Sequence, residues 1–279
     1  MELLYGNVVA SKIEAECFET IKKINQSKGK NPHIHVFQFG NDLSGSAYVK
    51  RIGKNCDKFG IKFNHLVFDD SDSFRAKLAE SVNNNDVSAI MIQQPLPKEL
   101  ATCIDTVPFV KDVEGVTANS LGRLFKGEPC MIPCTAQAVV EIIDYYNITT
   151  EGKKIAIAGR SNIVGKPLSV LLLNKNATVT VCHSKTQNIE QELKNSDIIV
   201  LAVGVAGFLK IDAVNKNSII IDVGTNYVDG KLVGDACFDD VKDRVAKITP
   251  VPGGVGVVTN ALLIRNIINS YLMQTTEKG

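Results

Sequence analysis

Apolar and polar positions along this chain follow two rhythms, and the rhythm changes every ten residues or so. Over residues 9–28 apolar positions recur at helical spacing among charged ones, which predicts a first helix. His33–Phe39 (HIHVFQF) then reads as a strand ending at a Gly40-Asn41-Asp42 turn. Ser46–Phe59 predicts a helix, with Gly53 as a weak spot and Gly60 as its C-cap. Lys62–Asp69 is a second strand, and Ser73–Asn83 a helix capped by Ser71 or Asp72. Ala89–Ile92 is a buried strand that runs into Gln93-Gln94-Pro95-Leu96-Pro97. An acid-rich loop over 105–117 precedes a short helix, Asn119–Phe125, and Thr135 is the predicted N-cap of a helix over Ala136–Tyr146.

The second half keeps the alternation. Ile155–Ala158 is the short apolar run that a buried parallel strand requires. A Gly159-Arg160-Ser161 turn follows, then Ile163-Val164-Gly165, Pro167 and a leucine-rich amphipathic helix. Strands are predicted at Ala177–Cys182, Ile198–Ala202 and Ser218–Val223, with a helix at Ile189–Asn195, and Lys247–Val251 leads to Pro252-Gly253-Gly254-Val255-Gly256. Gly204–Gly207 is a glycine-bearing turn, Asp229-Gly230 marks a hairpin over Val228–Val233, and Thr259–Met273 is a last amphipathic helix. Alternating strand and helix in both halves predicts parallel sheets, hence an α/β chain of two domains.

The stretch Lys153–Leu173 is the one with chemistry in it. Its strand, glycine turn and helix leave free N–H groups and a positive helix end above the turn, which favours a phosphate. The spacing is G-x-S-x-x-x-G, and glycines in such a turn can also serve packing alone. The next strand decides between these. It ends in His183-Ser184-Lys185-Thr186, where an NAD-binding unit usually places an acid for the ribose 2′-hydroxyl. Here the tip is acid-free and Arg160 is at hand, so the pattern predicts an NADP site. At the other strand end, the Gln93 amide either caps backbone groups or faces a ligand.

Composition narrows the class. The net charge is +1 and 22% of residues are charged, which gives no electrostatic case for nucleic acid or an anionic membrane. No apolar run approaches the roughly 20 residues of a membrane span, and the N-terminus lacks the basic start and apolar core of a secretory signal, so a cytoplasmic location is expected. Seven scattered cysteines with no CxxC pair read as reduced, partly buried thiols, and no metal set is predicted. His33 and His35 fall on one strand face with nothing nearby to complete a site, and are read as structural. The last residues, QTTEKG, look frayed.

Several strings together resemble the methylenetetrahydrofolate dehydrogenase/methenyltetrahydrofolate cyclohydrolase family. They are Tyr48-Val49, Gln93-x-Pro95-Leu96-Pro97, Lys111-Asp112-Val113-x-Gly115, Gly122-Arg123-Leu124 and Pro133-Cys134-Thr135. Further on come Gly159-Arg160-Ser161-x-Ile163-Val164-Gly165-x-Pro167, His183-Ser184-Lys185-Thr186, Asp222-Val223-Gly224-x-Asn226, Val233-Gly234-Asp235 and Thr249-Pro250-Val251-Pro252-Gly253-Gly254-Val255-Gly256. The resemblance implies a folate-binding domain over 1–135 and 259–279, and a Rossmann-like, doubly wound NADP domain over 136–258. It also implies that the domains flank a cleft, that the C-terminal helix packs back on the first domain, and that the enzyme is a homodimer. The implied substrates are tetrahydrofolate derivatives: hydride passes from the 5,10-methylene form to NADP, and water then opens the methenyl product to 10-formyltetrahydrofolate.

The site residues carried over are Tyr48 for stacking on the pterin, and Gln93 and Glu114 for hydrogen bonds to its ring. Pro252, Gly253 and Gly254 would bring backbone close to the substrate. Gly159, Arg160, Ser161, Ile163, Val164, Gly165, His183, Ser184 and Thr225 would bind the cofactor. Asp112 reads as a loop-fixing acid. The general-base lysine of the family, one turn after the tyrosine, is Ile52 here. Lys50 and Lys54 lie about 200° from it around the helix, so neither replaces it. Glu114 stands where the family has Asp, Gly45 replaces a serine, Ala136 and Ala138 replace Pro and Gly, and Val257-Val258 replaces Pro-Met. Hydride transfer is therefore expected and the cyclohydrolase step doubtful. The competing readings are another two-domain NADP dehydrogenase, which would carry a Lys–Asp pair in its first half, and a non-catalytic folate or nucleotide binder.

Overall fold

The computed structural model describes residues 1–27, 30–40 and 43–276. The predicted turn at Asn41-Asp42, residue 28 of the predicted first helix and residues 277–279 lie outside these. The chain forms two compact units, one of Met1–Ser11 with Pro133–Asn260, the other of Lys12–Ile132 with Ala261 onward. The first eleven residues, grouped by sequence with the first half, thus belong with the second half. The reason is a short strand, β1 (Glu2–Leu3), that pairs in parallel with a strand near residue 247.

Helix α1 (Gly6–Gln26) leads into the smaller sheet: β2 (His33–Phe39), α2 (Leu43–Lys58), β3 (Lys62–Phe68), α3 (Ser71–Asn83) and β4 (Ala89–Ile92). The strand order is β3-β2-β4, all parallel. Its core is partly aromatic: the Phe74 ring meets Phe37 and Phe68 edge-on, each at 5.5 Å between centroids. Helix α2 runs on through Gly53, where the Phe63 ring would sit 3.0 Å from an added Cβ. The cap of α3 is Asp70, not Ser71 or Asp72: its carboxylate accepts from Asp72 N (3.2 Å) and Ser73 N (2.8 Å). His33 and His35 are structural, their rings bonded to Asn64 Oδ1 (2.6 Å) and Ser81 Oγ (2.9 Å). Burial first, then the neighbouring His33, push His35 down to about 4.

A 3₁₀ turn (Lys98–Thr106) and α4 (Ala118–Lys126) complete this half, and α5 (Cys134–Tyr145) opens the larger sheet. Pro133 occupies the N-cap of α5, so Thr135 lies inside the first turn rather than capping it. Then follow β5 (Lys154–Ala158), α6 (Gly165–Asn174), β6 (Thr178–Cys182), α7 (Ile189–Lys194), β7 (Ile198–Leu201) and β8 (Ile219–Asp222). A hairpin of β9 (Asn226–Val228) and β10 (Lys231–Val233), the short α8 (Phe238–Val241), β11 (Lys247–Ile248) and α9 (Val255–Thr276) end the chain. The order is β1-β11-β8-β7-β5-β6, every pairing parallel. β5, β7 and β8 are almost wholly buried, as unbroken apolar runs require, while β6 at the edge alternates. From β5 the chain moves outward to β6 and then returns past β5 to β7. That reversal is the switch point at which such sheets bind ligands.

Two features tie the small-sheet unit together. The buried Lys111 ammonium donates to the Val82 and Asn84 carbonyls (2.8 Å each) and so closes the C-terminal end of α3. From residue 261 onward α9 packs in this unit, as the resemblance implied. Gln274–Thr276, expected to fray, continue this helix. Replacing Lys111 by Met keeps the bulk and removes the donors; the expected loss is about 3 kcal/mol of unfolding free energy, read by urea titration.

Candidate active site

In the large-sheet unit the carboxyl ends of β5, β6 and β7 open into a cavity of about 470 Å³. It is lined by Gly159, Arg160 and Ser161 after β5, and by His183, Ser184 and Thr186 after β6. Ala202, Val203, Val205 and Phe208 after β7 complete it with Ile189 of α7. The turn after β5 forms as it does because Gly159 has φ +129° and because an added Cβ on Gly165 would lie 2.1 Å from the Gly159 carbonyl. Only a glycine there lets α6 begin against the strand end. The hydroxyl of Ser161 accepts from Val164 N (3.1 Å), which pins the loop.

At the tip of β6, Thr186 Oγ1 accepts from His183 N (2.9 Å), and His183 Nδ1 accepts from Lys185 N (3.1 Å). The neutral imidazole therefore carries its proton on Nε2. No carboxylate lines the cavity. Of the nine residues predicted to bind the cofactor, Gly159, Arg160, Ser161, His183 and Ser184 meet here. Ile163, Val164, Gly165 and Thr225 are not among the lining residues, and Thr225 is exposed with its hydroxyl 3.5 Å from Val223 O.

The far wall is held by residues that sequence reasoning left without a role. Asp235, fully buried, accepts from Val203 N (2.8 Å), Gly204 N (3.1 Å) and Val205 N (2.9 Å), with Asn226 Nδ2 at 2.9 Å. Asp222 accepts from Gly224 N (2.9 Å), Asp235 N (3.0 Å) and Ala236 N (2.8 Å). Burial raises the Asp222 carboxyl above its ordinary range against these three bonds. The clasp is reciprocal, since an added Cβ on Gly224 would strike Asp235 and one on Gly234 would strike Asp222. The strings Asp222-x-Gly224 and Gly234-Asp235 were visible signals; only the fold shows that they interlock.

In the small-sheet unit, Ile90 N donates to Lys111 O (2.8 Å) and Ile90 pairs with Asp112 in a parallel bridge. That register runs the Lys111–Asp112 segment, which leads into Glu114, alongside β4, the strand that leads into Gln93. Asp112 is a loop-fixing acid, accepting from Thr117 N (2.9 Å) and Ser120 Oγ (2.7 Å). Gln93 Nε2 donates to Gln94 O (3.0 Å), while its buried Oε1 has no hydrogen-bond partner among the described residues. An unpaired buried acceptor is costly, and a ligand N–H would relieve it. Burial, with Asp112 adding to it, pushes Glu114 up to about 8. Tyr48 lies half-buried on α2, the Arg51 guanidinium 6.0 Å from its ring centroid. Ile52, one turn on, is 2% exposed, whereas Lys50 and Lys54 are exposed. Among the described residues no cluster of His, Cys, Asp or Glu could hold a metal ion.

Of the Pro-Gly-Gly string, Gly253 O accepts from Gly6 N (2.8 Å), and an added Cβ on Gly254 would lie 2.4 Å from Pro250 O. Gly254 is demanded by packing, and Gly253 by its φ of +100°.

A parallel sheet with a glycine turn and a cavity at its switch point defines the large-sheet unit as a dinucleotide-binding fold. Comparison with known proteins gives the family. Residues 4–114 match the catalytic domain, and residues 133–275 the NAD(P)-binding domain, of tetrahydrofolate dehydrogenase/cyclohydrolase. The chain belongs to that family. It is 44% identical over 273 residues to the Bifunctional protein FolD of Dictyoglomus thermophilum, covering 96% of each chain. It superposes on the bifunctional FolD enzyme of Campylobacter jejuni with a TM-score of 0.92 at 35% identity, covering 98% of this chain and 99% of that one. The Trypanosoma brucei FolD, solved with NADP cofactor and an inhibitor, gives 0.91 at 29% identity over 98% of both chains.

Two measurements test this geometry. Asp235→Ala strands three part-buried backbone donors and the Asn226 amide and is expected to lower stability by on the order of 3 kcal/mol, read as a drop in Tm. Glu114 holds its proton in the folded chain up to about 8 but would lose it near 4.3 when unfolded. Stability should therefore fall as pH rises from roughly 4.5 to 8, by up to about 1.4 kcal/mol per unit. Glu114→Gln should flatten that slope in urea titrations across the window.

Proposed function

We propose that this protein is an NADP-dependent 5,10-methylenetetrahydrofolate dehydrogenase whose cyclohydrolase step is weak or absent. The observation that carries the cofactor half is the acid-free tip of β6. His183 and Ser184 stand in the same cavity as Arg160, so a 2′-phosphate finds donors there and an unmodified ribose finds no carboxylate. On this reading the large-sheet unit holds NADP and the small-sheet unit the folate.

Bound NADP+ would take the hydride at its nicotinamide C4. The protein's contribution is position: Tyr48 stacks on the pterin, the unpartnered Gln93 Oε1 accepts from it, and Glu114 fixes its ring. The C–H bond of the methylene bridge breaks, its electron pair leaves as hydride, and the ring nitrogens share the remaining positive charge. No side chain has to ionise. Water addition is different, because it needs a group that takes a proton from water and returns one to nitrogen. The buried Ile52 side chain can do neither. The reading extends to a homodimer in the cytoplasm, supported by the family; no helix of the described residues is long and apolar enough to cross a membrane.

The test is one assay with two arms. Methylenetetrahydrofolate plus NADP+ should raise absorbance at 340 nm, with NAD+ at least about tenfold poorer in kcat/KM. Methenyltetrahydrofolate should decay with enzyme at a rate close to that in buffer, so that only ring opening well above the uncatalysed rate counts against the reading. Absence of NADPH formation rejects the dehydrogenase; accelerated ring opening rejects the loss of the second step.

A further inference from the structure

The C-terminal helix carries a polar stripe that neither the fold class nor the family match explains. Asn266, Ser270 and Gln274 recur every four residues and so share one face of α9. All three side chains donate to backbone carbonyls far away in sequence. Asn266 Nδ2 reaches Val113 O (2.9 Å) and Ile132 O (3.3 Å). The Ser270 hydroxyl lies against Ser88 O and Val110 O (2.6 Å to the latter), and Gln274 Nε2 donates to Ser88 O (2.7 Å). The carbonyls are not scattered. Ser88 immediately precedes β4, which ends at Ile92, one residue before Gln93; Val110 and Val113 bracket Lys111-Asp112, and Val113 is bonded directly to Glu114 in the chain.

The Asn266 amide is the member bonded next to Glu114, through the Val113 carbonyl. It is 7% exposed, and it bridges the loop before Glu114 to the segment Met131–Ile132. The same two segments touch through Gly115, where an added Cβ would lie 2.5 Å from the Met131 carbonyl oxygen. The peptide on either side of Glu114 is thus clamped, on one side by the Asn266 amide and on the other by a glycine that admits no side chain. We infer that Asn266 is a positioning residue for Glu114: it sets where the carboxyl stands for the folate without touching the folate itself. This rests on the proposed function, in which Glu114 holds the pterin. A side chain displaced by even an ångström can cost far more in binding and rate than in stability, because directional bonds to a rigid ring depend on its placement.

The experiment compares three purified variants with the wild type. Asn266→Asp keeps the shape and loses both donated bonds; Asn266→Ser is the smaller change should the acid prevent folding. Ile267→Val thins the core on the adjacent position, which is fully buried, and leaves the clamp in place. The readouts are Tm, KM for methylenetetrahydrofolate, KM for NADP+ and calorimetric binding of tetrahydrofolate. Both Asn266 variants should raise the folate KM and the tetrahydrofolate Kd at least about tenfold, with KM for NADP+ changed less than twofold. Ile267→Val should lower Tm comparably and leave the folate KM within twofold. Equal rises in both KM values, or an unchanged folate KM, would overturn the assignment while the dehydrogenase reading stood. Wild type that neither binds tetrahydrofolate nor reduces NADP+ overturns that reading and this one with it.

Discussion

Backbone groups stranded in loops are the constraint on which both units depend. A loop leaving a parallel sheet carries N–H and C=O groups that have lost their ladder partners, and each one left buried and unpaired costs about 1–3 kcal/mol. The two units meet this with opposite chemistry. In the large-sheet unit the loops turn N–H groups inward, and two buried acids, Asp222 and Asp235, accept six of them between them. In the small-sheet unit the loops and the end of α3 turn carbonyls inward, and Lys111, Asn266, Ser270 and Gln274 supply the donors. The wall of the cavity and the Glu114 loop are as well defined as these side chains make them. Both carboxylates are engaged by backbone behind the cavity wall, so the rim keeps only its donors.

Most of the scaffold was legible because its signals are local. Strands buried on both faces must be apolar at every position, and β5, β7 and β8 read that way; the edge strand β6 alternates, as an edge should. The hairpin at Asp229-Gly230 was legible for the same reason, since both residues need positive φ (49° and 74°) and that chemistry is written in two letters. Helix starts were less so. Ser71, Asp72 and Thr135 are all acceptable caps by type, but the choice among neighbours depends on which side chain reaches N2 or N3. Asp70 reaches, and at α5 a proline needs no reach at all.

What stayed hidden depends on partners far away in the chain. Two residues of strand, Glu2–Leu3, form no detectable pattern; they are a strand because Lys247–Ile248 lies beside them. Asp235 could be seen as part of a short string but not as the acceptor for a loop thirty-odd residues earlier. The same holds for the apolar part of the cavity. Val203, Val205 and Phe208 flank a recognisable glycine turn, yet nothing in that turn says which of its side chains face inward. Asn266 looks like a polar interruption in an apolar helix until its two carbonyls, more than a hundred residues away, are in view. Chemistry that sits at strand ends could be read; chemistry that braces it from behind could not.

The pattern of change at position 52 follows from these packing demands. A catalytic lysine needs its ammonium in water or beside a partner, because burial penalises the charged form. Ile52 is 2% exposed and sits between Val49 and Cys56, both fully buried, on the face of α2 that builds the core. The side chain present there stabilises the helix by burying apolar surface and itself carries no group able to exchange protons with water. Tyr48, one turn earlier on the same helix, is half-buried; on the proposed reading the helix keeps its pterin contact and lacks the proton-exchanging group. That separation is possible because the two reactions ask for different things. Hydride transfer draws on alignment and on positive charge carried by the substrate's own nitrogens, neither of which a side chain at position 52 supplies. A family built to run two steps in succession can therefore lose the second by one substitution on one helix face, with the scaffold for the first intact.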